Sequence, residues 1–85
     1  MIWSFTVYIQ GLTEFGDDQA NALYEAGCSD GTLVSGDGRA WIEFDREAKS
    51  LHLAIQSAIA DIGQAGFEMD RIVIDHEDIA DWPAA

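Results

Sequence analysis

The hydrophobic period of this chain switches along its length, and the order of the switches restricts the fold more than any other feature. Trp3, Phe5, Val7 and Ile9 alternate with Ser4, Thr6, Tyr8 and Gln10, the two-residue period of a strand buried on one side. After Gly11 the pattern changes. The segment Asp17 to Ala26 has two acids where a helix would begin, Ala20, Leu23 and Tyr24 as an apolar stripe, and Gly27 where it would stop, so a helix is expected there. Thr32-Leu33-Val34 and Arg39 to Phe44 flank Ser35-Gly36-Asp37-Gly38, a short glycine-containing connection that reads as a hairpin turn. Leu51, Ile55, Ala58, Ile59 and Ile62 recur at three- and four-residue spacing between Ser50, a capping candidate, and Gly66. That spacing predicts a second helix of about four turns. Arg71-Ile72-Val73-Ile74 is short and β-branched and closes the pattern as a strand.

The order β-α-β-β-α-β is a split βαβ arrangement, which normally gives an α+β fold: a ferredoxin-like βαββαβ sandwich, a four-stranded antiparallel sheet with two helices on one face. Phe5, Val7, Ile9, Leu33, Ile42, Phe44, Ile72 and Ile74 would then face the helices. Thr6, Tyr8, Trp41, Glu43, Arg71 and Val73 would lie on the open face. A chain of 85 residues has material for one core, so residues 1–75 are expected to form a single domain and 76–85 an acidic C-terminal tail. Apolar content of 48% with 11% aromatics excludes a disordered acidic segment. No stretch is long and apolar enough for a membrane span, and the start lacks a signal-peptide pattern. With a single cysteine, Cys28, these features point to a cytoplasmic protein with no membrane partner.

Charge narrows the function. Sixteen acidic side chains against 4 basic ones give a net charge of -12, beyond the magnitude of about 2 to 8 that keeps small domains soluble. Tyr8 and Trp41 would form an aromatic platform of the kind on which single-stranded RNA stacks, but such platforms sit in positive surroundings, so direct nucleic-acid binding is excluded on electrostatic grounds. Catalytic patterns fail one by one. Asp75-His76-Glu77-Asp78 lacks both the spaced ligands of a zinc site and the twelve-residue calcium loop, so no metal is expected. Cys28 could pair with His52 or His76, but a cysteine placed directly after a helix-stop glycine reads as a small buried hydrophobe. Gly36-Asp37-Gly38 is too short for a phosphate loop and precedes no helix. No carboxylate pair stands apart from the rest as an acid and its base. The expectation is a non-enzymatic protein without a cofactor.

Ala22-Leu23-Tyr24-Glu25-Ala26-Gly27-Cys28-Ser29-Asp30, Phe44-Asp45-Arg46-Glu47-Ala48, and Ser50-Leu51 through Ala54-Ile55-Gln56-Ser57-Ala58-Ile59 together resemble the N-terminal α/β domain of small bacterial helix-turn-helix proteins. The resemblance covers roughly residues 5 to 75. It implies shared fold and ancestry, and its motifs carry no chemistry. In that family a DNA-reading helix-turn-helix follows, whereas here Val73-Ile74 leads through Asp75-His76-Glu77 into Asp78-Ile79-Ala80-Asp81-Trp82-Pro83-Ala84-Ala85, with no basic recognition helix.

Two roles follow. The first is an inhibitor that occupies the basic groove of a nucleic-acid-binding protein or ribonucleoprotein complex, as DNA-mimicking phage proteins and some anti-CRISPR proteins do; a phage or mobile-element setting would fit it. A net charge of 12 matches that on about 20 Å of duplex at one charge per about 1.7 Å, within the breadth of a domain about 30 Å across. The candidate contacts are Glu14, Asp17 and Asp18 at the first helix, Asp37, Glu43, Asp45 and Glu47 around the hairpin and the loop after it, Asp75, Glu77, Asp78 and Asp81 at the C-terminus, and the Tyr8 and Trp41 platform. The alternative is a regulatory or assembly module derived from a helix-turn-helix regulator, which pairs with a partner or a second copy through its sheet face or an edge strand.

Overall fold

The computed structural model describes residues 1–74. Its elements are β1 (Ile2–Ile9), α1 (Asp17–Ala26), β2 (Gly31–Gly36), β3 (Arg39–Glu47), α2 (Leu51–Gln64) and β4 (Met69–Ile74). The strands form one sheet in the order β2-β3-β1-β4, with every neighbouring pair antiparallel. This is the ferredoxin-like α+β sandwich that the periodicity predicts, with β2 and β4 at the edges.

Local chemistry explains the joints. Asp37 and Gly38, with φ of 53° and 73°, are the two residues between β2 and β3, and positive φ at both positions is the type I′ geometry that matches strand twist. Both helices close the same way. Gly27 (φ 115°) and Gly66 (φ 94°) turn left-handed, and the next residue's N–H reaches back to the last turn, Cys28 to Leu23 O at 2.9 Å and Phe67 to Ile62 O at 3.1 Å. These glycine stops satisfy carbonyls that would otherwise lack donors. Gly27 has a second reason to lack a side chain, since a Cβ there would sit 2.8 Å from Asp61 Oδ2. At the start of α2, Ser50 accepts a hydrogen bond from the Leu53 N–H, the cap expected of it.

The core lies between the sheet and the helices. Trp3, Phe5, Val7 and Ile9 from β1 and Ala40, Ile42 and Phe44 from β3 meet Leu23 of α1 and Leu51, Ala54, Ile55, Ala58 and Ile62 of α2. Phe5 and Phe44 are cross-strand partners with stacked rings 5.3 Å apart. Leu33, Ile72 and Ile74 face the same way but are only half-buried, because an edge strand has a neighbour on one side only. One expectation changes. Tyr24 does not join the stripe of α1 and is 46% exposed. Residues advance about 100° per step around a helix, so the buried side centred on Leu23 runs through Ala20 and Ala26 and leaves Tyr24 at its margin.

Candidate protein-binding face

Alternation along β3 divides its charges between two environments. Ala40, Ile42, Phe44 and Arg46 point into the sandwich and are buried; Glu43, Asp45 and Glu47 point away from it and are exposed. The three outward carboxylates form one row down the open face. Two of them are fixed by neighbours: Trp41 Nε1 donates to Glu43 Oε2 at 3.1 Å, and Ser4 Oγ donates to Asp45 Oδ1 at 2.6 Å. Glu47 lies 3.8 Å from the N-terminal ammonium.

Next to this row stands the aromatic platform. Tyr8 and Trp41 are directly opposite each other in the β1–β3 ladder, with centroids 5.3 Å apart and planes tilted by 35°. On the other side of Tyr8 is its β4 partner, Arg71, whose guanidinium lies over the ring at 4.6 Å. Val73, 48% exposed, and Ile2, 61% exposed, add apolar surface. Aromatic residues and arginine are the residue types enriched in protein interfaces, which makes this face the candidate.

The other acidic groups lie elsewhere. Asp37 is in the hairpin turn, Glu14 is in the β1–α1 connection, and Asp17 and Asp18 form the first turn of α1. The β1–α1 connection and the turn meet, because Gly11, Leu12, Thr13 and Gly38 line one concavity of about 320 Å³ with Arg39 and Arg71. Glu14 and Asp37 are the sequence neighbours of two residues that line this concavity, Thr13 and Gly38, and none of the four acids belongs to the row on β3. Asp75, Glu77, Asp78 and Asp81, with His76, lie outside the described residues.

Arg46 is the residue that the sequence reading passed over. It is only 7% exposed, and each of the five N–H groups of a guanidinium has an acceptor. Nε and one Nη2 hydrogen donate to the two oxygens of Asp30 at 2.7 and 2.9 Å, Nη1 donates to Ser57 Oγ at 3.1 Å and Asp61 Oδ2 at 2.9 Å, and Nη2 also donates to Gly27 O at 2.9 Å. Its Cζ sits 5.0 Å from the Phe44 ring centre. Hydrogen bonds to Asp30, then to Asp61, raise its pKa further against the opposing effect of burial. The two sequence stretches Leu23–Asp30 and Phe44–Ala48 thus meet at one ion cluster. The available signal was parity, since Arg46 occupies the next inward position after Ile42 and Phe44.

Cys28 abuts this cluster. It is fully buried, and burial, followed by the charge of Asp61, pushes its pKa from 9.0 up to about 11, with Arg46 pulling the other way. A thiol so held is a poor nucleophile at neutral pH. Comparisons with known protein families, with curated proteins and with solved structures return no match to this chain.

Proposed function

We propose that this domain is a non-enzymatic acidic binding protein that inhibits a nucleic-acid-binding protein or complex by laying the Glu43-Asp45-Glu47 row into its basic groove. The row itself carries this reading. Its carboxylates repeat every second residue of a strand, a step of about 6.8 Å, comparable to successive phosphates along one nucleic-acid strand. Hydrogen bonds from Trp41 and Ser4 orient two of them before any partner arrives.

The test is affinity capture from cells that contain a nuclease or CRISPR complex, followed by displacement of a fluorescent DNA duplex from the captured protein. Displacement should weaken with salt and disappear for the triple variant Glu43→Lys, Asp45→Lys, Glu47→Lys. Undiminished displacement by that variant would overturn the proposal. A second reading, a regulatory or assembly module that pairs through the same face, is favoured by the exposure of Val73 near Tyr8 and of Ile2 at the opposite end of the same face. In that case sedimentation is the readout: Trp41→Ala or Tyr8→Ala should abolish association that charge reversal leaves intact.

A further inference from the structure

We propose that the concavity at the hairpin end of the open face binds a small amphoteric carboxylate, of which an α-amino acid is the simplest, with Arg39 and Arg71 on its carboxylate and Asp70 on its ammonium group. The volume of about 320 Å³ lies at the small end of ligand pockets, which run from about 300 to 1,000 Å³. Ile9, Leu12 and Ala40 supply apolar lining, and Arg39, Arg71 and Asp70 supply charge.

Three observations mark the charged groups as available. In a chain with 16 acidic side chains, the ion pairs among the described residues belong to the N-terminus and to Arg46; Arg39, Arg71 and Asp70 enter none. Next, the β1–β4 ladder shifts register here: Tyr8 pairs with Arg71 and Ile9 with Met69, which makes Asp70 the extra residue of a β-bulge. Bulges re-aim side chains and are over-represented beside functional sites. Finally, the Arg71 Cζ lies 4.6 Å from the centre of the Tyr8 ring, a contact that uses none of the donors a guanidinium would offer to a carboxylate.

The surroundings select the ligand class. Asp70 is itself part of the lining, and Asp37 and Glu14 are the sequence neighbours of the lining residues Gly38 and Thr13, so the site carries acid that disfavours a plain anion. An ammonium group on the ligand removes that penalty and gives Asp70 a partner. More distant acids matter little, because charges are screened beyond about 8 Å at physiological salt. This inference is independent of the acid row and its partner.

The experiment titrates the ¹⁵N-labelled protein with four probes followed by amide chemical shifts: L-leucine, 4-methylpentanoate with the same skeleton and no amine, 3-methylbutylamine with no carboxylate, and inorganic phosphate. Saturable shifts confined to residues 8–13, 38–40 and 69–71 are expected with L-leucine, weaker ones with 4-methylpentanoate and none with the amine. Arg39→Ala and Arg71→Ala should each weaken L-leucine binding at least about tenfold, while Asp45→Lys, on the acid row, should leave it unchanged. The spectra themselves report whether each variant is folded. No saturable shift with L-leucine, an equal response to phosphate, or arginine variants that bind normally would overturn the site, and equal binding of 4-methylpentanoate would overturn the role of Asp70.

Discussion

Arg46 and Arg71 leave the same sheet on opposite sides and end in opposite states. Arg46 points into the sandwich, where every donor is taken by Asp30, Asp61, Ser57 or Gly27. Arg71 points outward, rests on Tyr8 and enters no ion pair among the described residues. The difference follows from solvent. A buried guanidinium without partners costs several kcal/mol, so the fold must bring carboxylates to it. An exposed pair is worth about 0 to 1 kcal/mol, so folding does not dictate how charges on the open face are arranged. The inner cluster is accordingly an arrangement that folding must complete once the guanidinium is buried, and the outer charges are free to serve recognition.

That contrast can be broken most directly at Arg46. Arg46→Met strands Asp30 and Asp61, and a loss of about 3 kcal/mol in urea unfolding is expected, the low end of the range for a broken buried pair because both carboxylates are partly exposed. A loss below about 1 kcal/mol would place the inner cluster on the same footing as the surface. Next comes alkaline pH. The folded state holds the Cys28 proton up to about 11, against 9.0 ordinarily, so the unfolded chain binds fewer protons between those values and stability falls as pH rises through them. Stability is complete below pH 9, and the shift corresponds to a loss of about 2 to 3 kcal/mol by pH 11. Urea unfolding at a series of pH values should show the decline, and Cys28→Ala should flatten it. Gly27→Ala combines a left-handed φ with the approach to Asp61 and should cost about 1 to 2 kcal/mol in the same assay. At the small end, Glu43→Gln, Asp45→Asn and Glu47→Gln should each change stability by no more than about 0.5 kcal/mol. A larger effect at any of the three would mean that the row supports the fold.

Much of the architecture was legible because periodicity reports which side of an element is buried. The alternation at Trp3, Phe5, Val7 and Ile9 and the spacing from Leu51 to Ile62 fix strands, helix and open face, and the same parity puts Glu43 and Asp45 on one side. Tyr24 misled because neighbouring large residues on a short helix cannot all face the core. Arg46 was hidden for a different reason: it sits within Asp45-Arg46-Glu47, a run that looks solvated, and its acceptors come from segments distant in sequence. The concavity was equally illegible. It depends on the extra residue at Asp70, and a register shift between β1 and β4 leaves no mark in a hydrophobic pattern.

The Arg46 cluster also bears on the folding pathway. Its five hydrogen bonds join β3 to positions 11 to 19 residues away on both sides, in the α1–β2 connection and in the middle of α2. No one hairpin or helix can assemble it, so all of these segments must be docked before the guanidinium is satisfied. Contacts that need every segment docked are expected to be unformed in the transition state, and a low φ-value for Arg46→Met would check this; such contacts act on the rate of escape from the native state. Arg46 is thus expected to govern how long the folded domain persists, with little influence on how quickly it is reached.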